Sequence, residues 1–221
     1  MCQCGLIGPA RQRRVKNTGG QGMKIIVVGA NGDIGQAACA ELGQRHDVIR
    51  VGRTSGDLTV DMSDRSDIDR MFAKVGPVDA VVATAGDVKF MALAEHTSDS
   101  MLFGLQQKVM GQINLVLAGL DAVVDGGSFT LTSGVLDRDP IRFGVGAATA
   151  NGALAGFVTG SAIEMPRGLR INVVSPGLLD VSVPRYGQWF PGHNPVASER
   201  VGRAYAKSVE GAATWQVIIV E

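Results

Sequence analysis

Three glycines at positions 29, 32 and 35 form the pattern that most directly indicates a chemistry. They lie in GANGDIG (29–35), between the apolar run KIIVVG and a helical pattern that begins near residue 34. Glycines at such a junction allow a sharp turn and let backbone amides approach a phosphate at the positive end of a helix. The pattern predicts a pyrophosphate site formed by Gly29, Asn31, Gly32, Asp33, Ile34 and Gly35. The alternative is a tight strand-to-helix turn without a ligand.

The residues after the second apolar run bear on which dinucleotide would fit. An acid about 20 residues beyond the glycines usually binds the ribose hydroxyls of NAD, but here the sequence is VGRTS (51–55). A guanidinium cannot accept hydrogen bonds from those hydroxyls, whereas it pairs well with a 2′-phosphate. Arg53, with Thr54 and Ser55 as further donors, therefore favours NADP(H) over NAD(H). The alternative is that Arg53 is only a solvated loop charge.

Seven apolar runs alternate with patterns of helical length from Met23 onward. Strands that are apolar on both faces and joined by helices indicate a parallel sheet covered on both sides. We predict an α/β fold, a doubly wound, Rossmann-type seven-stranded sheet forming a single domain over 23–221, with ligands at the carboxyl ends of the strands. The predicted strands are 24–29, 47–52, 58–61, 78–86, 127–133, 169–177 and 215–221. The predicted helices are 34–44, 64–75, 96–124, 147–165 and 197–209.

Composition and charge narrow the possible partners. The chain has 221 residues, with 21 basic and 21 acidic side chains, so nothing indicates a nucleic acid or a membrane as partner. Residues 1–22 are basic and glycine-rich, and we predict a disordered N-terminal extension there. Cys2 and Cys4 could ligate a metal, but no second pair follows and we expect no metal site. Three cysteines without a disulfide framework fit a reducing, cytoplasmic location.

Four motifs in order make residues 23–221 similar to the short-chain dehydrogenase/reductase family. GANGDIG resembles the family's glycine loop, with the GxxGxxG spacing of its divergent branches. VDMSD (60–64) resembles the segment that contacts adenine, ATAG (83–86) the turn after the fourth strand, and SPGLLD (175–180) the Pro-Gly corner under the nicotinamide. The resemblance implies further cofactor contacts from Asp61, Met62, Ala85, Gly86, Pro176, Gly177 and Leu179.

The catalytic set of that family is only partly present. Its serine matches Ser133 in LTSG, but its Tyr-x-x-x-Lys pair falls on Ala147 and Asn151. No tyrosine lies between Ser133 and Tyr186, and no lysine lies between Lys108 and Lys207. The family's helical asparagine, which holds a proton-relay water, falls on Lys108 in QQKVMGQINL (106–115).

Two functions remain open from the sequence. The first is an NADP(H)-dependent oxidoreductase of a small carbonyl or alcohol, in which Ser133 and Lys108 form the proton-donating pair and Asn151 orients a water or the nicotinamide ribose. The second is a catalytically silent NADP(H)-binding sensor or scaffold. Lys108 could instead be a helix-surface ammonium. Tyr186 is an alternative acid or a lid aromatic, and His193, with no evident partner, is expected to be solvated.

Small residues dominate the predicted helix 147–165. They include Ala147, Ala150, Gly152, Gly156 and Gly160, which permit close approach of another element. In the family, this helix and the preceding long one form the dimer interface. The resemblance therefore implies a homodimer or homotetramer.

Overall fold

The apolar runs become the strands of one parallel sheet. The computed structural model describes residues 22–221, and the sequence-predicted extension, with Cys2 and Cys4, lies outside them except for Gly22. Within the described residues, seven strands pair in parallel in the order β3-β2-β1-β4-β5-β6-β7. They are β1 (Lys24–Val28), β2 (Asp47–Gly52), β3 (Leu58–Thr59), β4 (Val78–Ala83), β5 (Val123–Thr132), β6 (Arg170–Pro176) and β7 (Val217–Val220). The predicted doubly wound α/β fold is confirmed.

Helices cover both faces of this sheet. They are α1 (Asp33–Leu42), α2 (Arg65–Val75), α3 (Ser98–Gly104), α4 (Gly111–Gly119), α5 (Val145–Ala162), α6 (Val183–Tyr186) and α7 (Ser198–Glu210). Alternate residues of a strand point to opposite faces. Accordingly Ile25 and Val27 join the core under α1 and α7, while Ile26 and Val28 join the core under α2, α4 and α5. Full burial of each such side chain contributes about 1.5–3 kcal/mol.

The helix predicted over 96–124 ends earlier than expected, and its middle part is not α-helical. A continuous helical segment runs over 98–119, but Leu105–Met110 between α3 and α4 is wound as a π-helix. Strand β5 begins at Val123, four residues before the prediction. The chain turns after Gly119, where the Arg167 guanidinium donates to the carbonyls of Leu120 and Val123. Local hydropathy could not reveal this distant donor, because the apolar residues around 120–124 suit either element.

Other boundaries shorten at the strand ends. The fourth strand stops at Ala83 rather than at residue 86. The backbone amide and hydroxyl of Thr84 then both donate to the carbonyl of Val28, the last residue of β1. The strand order reverses between β1 and β4, which opens a crevice at their carboxyl ends. Among residues 22–221, no helix is long and apolar enough to traverse a bilayer.

Candidate functional site

The glycine turn brings the start of α1 against the ends of β1 and β4. Gly29 has φ +87°, and a Cβ there would lie 2.6 Å from the Ala85 nitrogen. A Cβ on Gly35 would lie 2.1 Å from the Gly29 carbonyl oxygen, so neither position accepts a larger residue. Gly32 caps α1 without a side chain, and the first-turn amides have no intrahelical acceptor. This turn therefore has the free donors and close backbone approach that a pyrophosphate requires.

The remaining motif residues of this turn have distinct contacts. The Asn31 side-chain amide donates to the carbonyl and hydroxyl of Ser55, each at 2.9 Å, which ties the glycine turn to the loop after β2. Ile34 is half-buried against the core under α1. The Asp33 carboxylate, in contrast, turns toward Ser182 and Arg185, which follow β6.

Arg53 and Thr54 are exposed in the loop after β2. The Asp61 carboxylate lies close enough to feel the Arg53 charge. Hydrogen bonds from the Ser63 hydroxyl and amide are the main reason that the pKa of Asp61 is lowered, and Arg53 adds to the effect. Met62 is buried, and its methyl group would lie 2.9 Å from a Cβ on Gly111. Arg53 and Thr54 thus lie exposed after β2, whereas Met62 belongs to the core under α2, α4 and α5.

Lys108, Asn151 and Ser133 meet at the carboxyl end of β5. Lys108 lies in the π-helical turn and donates through Nζ to Asn151 Oδ1 at 2.6 Å and to the Ser133 carbonyl at 3.1 Å. Asn151, on α5, donates to the Gly134 carbonyl at 3.1 Å. The two side chains thus bridge two helices to the backbone that follows β5.

The electrostatics of this cluster suit proton transfer near neutral pH. Desolvation lowers the pKa of Lys108 to about 8, and the Asp137 carboxylate opposes the shift. The Ser133 hydroxyl is buried, and no group in residues 22–221 hydrogen-bonds to it. A buried hydroxyl without a partner is costly, so a hydrogen bond from a bound ligand would stabilise this group. The sequence-based alternative of a helix-surface ammonium is wrong, because Lys108 is half-buried and bonded to α5.

Ala147 faces an apolar cluster rather than a hydroxyl. It packs with Val88, Val135, Leu136, Ile141 and Phe190. The chain has two tyrosines. Tyr186 is exposed beside Trp189, and Tyr205 is buried in the core under α7, bonded to the Thr132 hydroxyl at 2.5 Å. Neither is among the hydrogen-bonding partners of Lys108, Asn151 or Ser133 in the described chain.

The Pro-Gly corner after β6 directs the next segment over the crevice. The Gly177 amide donates to the Val220 carbonyl at 2.9 Å. Leu179 is buried in the core under α1 and pairs with Val196, while Pro176 ends β6. Residues 181–195, here called the lid, lie between these anchors.

Two contacts were missed by sequence reasoning. His193 is not solvated: its side chain is 10 % exposed, and its Nδ1 lies 3.5 Å from an Asp139 carboxylate oxygen. Gln112, one turn beyond Lys108, is fully buried and bonds to Ala85 and to both backbone groups of Thr132. A glutamine within the largely apolar stretch of α4 was a signal for such a role, because buried amides need partners. No local signal pairs His193 with Asp139.

The fold and the crevice define a Rossmann-type oxidoreductase architecture. A family model described as enoyl-(acyl carrier protein) reductase matches residues 14–203. The protein lin1944 from Listeria innocua is 45% identical, with a TM-score of 0.88, over 90% of this chain and 100% of its own. The chain belongs to the short-chain dehydrogenase/reductase family, whose members bind a nicotinamide cofactor.

More distant structures share the fold. A small-chain dehydrogenase in complex with NADPH is 23% identical, with a TM-score of 0.79, over 91% of this chain and 97% of that one. A short-chain dehydrogenase/reductase from Serratia marcescens BCRC 10948 is 19% identical, with a TM-score of 0.77, over 90% of this chain and 96% of that one. No curated protein matches the chain.

Proposed function

We propose that this chain is an NADP(H)-dependent oxidoreductase of a small carbonyl or alcohol, with Lys108 and Ser133 acting on the substrate oxygen. The observation that carries the proposal is the Lys108–Asn151–Ser133 cluster, which combines an ammonium of lowered pKa with a buried, unpartnered hydroxyl. The binding of NADPH by a relative of the same fold supports the cofactor.

The chain's own residues would supply binding and proton transfer. The glycine turn and the N-terminus of α1 would hold the pyrophosphate, and Arg53 with Thr54 would hold the 2′-phosphate. Ala85, Gly86, Pro176, Gly177 and Leu179 line the nicotinamide end, as the family resemblance implies. The nicotinamide, when bound, supplies or accepts the hydride.

Proton transfer would fall to the cluster beside that end. The Ser133 hydroxyl donates a hydrogen bond to the substrate carbonyl oxygen. Two of the three N–H donors of Lys108 are used by Asn151 and the Ser133 carbonyl. The third is free to give its proton to the oxygen as charge develops there, which is general acid catalysis. Asn151 holds the ammonium in place from α5.

The test separates binding from turnover. Titration calorimetry with NADPH and NADH is expected to favour NADPH, and Arg53→Ala should weaken NADPH binding about tenfold while leaving NADH unchanged. NADPH oxidation over a panel of carbonyls should fall about 10²–10⁴-fold in Lys108→Ala. Full turnover in Lys108→Ala would remove the proposed donor, and equal affinity for both coenzymes would remove the proposed preference.

A second function is favoured by one specific observation. Apolar side chains surround Ala147, and neither tyrosine belongs to that cluster. This arrangement supports a nucleotide-binding sensor or scaffold that has given up turnover. Tight NADPH binding without oxidation on any carbonyl would favour this second function.

We also propose that the chain forms a homodimer or homotetramer through α4 and α5. On α5, a Cβ added at Gly152, Gly156 or Gly160 would have no atom within 4 Å beyond the neighbouring backbone of its own helix. Met110 and Leu117, before and within α4, are exposed. The family resemblance implies that a second copy covers this face.

A further inference from the structure

The lid is tied directly to the phosphate-binding turn. The Asp33 carboxylate accepts hydrogen bonds from the Ser182 hydroxyl and from the Arg185 guanidinium. Asp33 lies in the first turn of α1, whereas Arg185 lies on α6, 152 residues further along the chain. Partial burial raises the pKa of Asp33, but Ser182 and Arg185 outweigh it and the net shift is downward. The carboxylate is therefore ionised at neutral pH.

This ion pair changes the charge that a phosphate would meet. The turn GANGDIG contains an acid and no cation, so by itself it would repel a diphosphate through Asp33. Among residues 22–221, Arg185 is the cation whose hydrogen bond reaches this turn. Asp33 occupies one terminal nitrogen of its guanidinium, which carries five donors in all. The others remain for a phosphate oxygen.

The same segment also packs against the apolar cluster around Ala147 on α5. Phe190, five positions beyond Arg185, packs in the apolar cluster with Ala147. Its ring meets that of His193 edge-on, with the centroids 5.2 Å apart. One short segment therefore contacts the first turn of α1 through Arg185 and the apolar cluster around Ala147 through Phe190.

We propose that Asp33 and Ser182 position Arg185 to neutralise the dinucleotide's pyrophosphate from the lid side, so that nucleotide binding holds the lid closed. Arg185 is the binding residue, and Asp33 and Ser182 are positioning residues. This inference rests on the proposed nucleotide-binding function and adds a cation that the glycine motif lacks. Substrate would then meet a closed apolar wall only after the nucleotide is in place.

The test measures affinity and lid state separately. Calorimetry with NADP⁺ gives the Kd of the wild type and of Arg185→Gln, Arg185→Lys and Asp33→Asn. Trp189, in the lid, reports lid state by its fluorescence once Trp215→Phe has removed the other of the two tryptophans. Asp125→Asn is the matched control, because Asp125 pairs with Arg167 at the opposite end of the sheet.

Arg185→Gln is expected to weaken NADP⁺ binding about tenfold and to abolish the Trp189 response, because a charge-assisted bond is lost. The affinity of Arg185→Lys for NADP⁺ should lie between that of the wild type and that of Arg185→Gln. Asp33→Asn should lose less than threefold in NADP⁺ affinity, because Arg185 is still present. Asp125→Asn should bind NADP⁺ as the wild type does.

Three results would overturn the inference. Wild-type affinity in Arg185→Gln would show that Arg185 does not meet the nucleotide. Equal losses in Arg185→Gln and Asp33→Asn would reduce the ion pair to a structural tie. A wild type that binds neither NADP⁺ nor NADPH would overturn the proposed function itself, and this inference with it.

Discussion

A lysine and an asparagine meet at 2.6 Å in the candidate site, each on the helix where the family resemblance places the other. The resemblance implies asparagine at position 108 and lysine at position 151. Here the ammonium comes from the π-helical turn and the amide from α5. Since both side chains converge on the backbone after β5, the cluster keeps a cation even though its source has changed.

Exchanging the two residues tests whether position or pairing matters. Each single variant should lower kcat/KM about 10²-fold. Lys108→Asn leaves the cluster without an ammonium, and Asn151→Lys places two ammonium groups side by side. The double variant should recover to within about tenfold of the wild type, since it rebuilds one cation and one amide. Steady-state kinetics and a double-mutant cycle measure this, and strictly additive losses would contradict the pairing.

The lowered pKa of Lys108 predicts a pH profile. Desolvation lowers this pKa to about 8, so the ammonium is present below pH 8 and lost above it. If the ammonium gives its proton during reduction, kcat/KM for carbonyl reduction should fall about tenfold per pH unit above 8, whereas alcohol oxidation should rise up to that pH. Arginine stays protonated over this pH range, so the fall in kcat/KM above pH 8 should be absent in Lys108→Arg. A reduction profile that stays flat from pH 7 to 9.5 would contradict the assignment.

At the scale of elements, the π-helical turn packs closely against the turn that follows β4. A Cβ on Gly86 would lie 2.4 Å from Lys108 Cγ and 3.1 Å from its Cα. Only a glycine after β4 leaves room for the stem of Lys108. π-Helical turns are frequent at functional sites, and here the turn carries the residue proposed as acid.

Gly86→Ala should therefore displace Lys108. We expect a loss of about 1–3 kcal/mol in the free energy of unfolding from overpacking, together with a fall in kcat larger than the rise in KM. Denaturant unfolding and steady-state kinetics measure the two effects. Gly152→Ala, in a position open around its Cβ, should instead stabilise α5 by about 1 kcal/mol. An unchanged kcat in Gly86→Ala would show that Gly86 does not determine the position of Lys108 in the site.

Much of the fold was predictable because strand and helix periods are local. The apolar runs around residues 24–28 and 170–176 and the glycine turn could be recognised within a few residues of sequence. The contact between Lys108, in the π-helical turn, and Asn151 could not, because it joins residues 43 positions apart in sequence. Likewise the Asp33–Arg185 pair joins residues far apart in sequence, and no periodicity encodes which surface acid meets which lid cation.

For the molecule as a whole, the two hydrophobic cores, one on each face of the sheet, support the residues of the proposed activity. The core under α1 and α7 supports the phosphate end of the crevice, and the core under α2, α4 and α5 supports the cluster of Lys108 and Asn151. The exposed side of α5 belongs to neither core. A second copy bound there would brace the helix that presents Asn151.

The open glycine face allows this association to be tested without disturbing the fold. Gly156→Arg should leave the protomer folded, because beyond the nearby backbone of α5 no atom lies within 4 Å of the added Cβ. A desolvated, unpaired charge should nevertheless break the assembly. Light scattering after size exclusion should then give the monomer mass, while Gly156→Ala keeps the wild-type mass. NADPH binding should persist in both variants, since the glycine turn lies at the start of α1 and not on α5. A monomeric wild type, or an unchanged assembly in Gly156→Arg, would show that a second copy does not cover this face of α5.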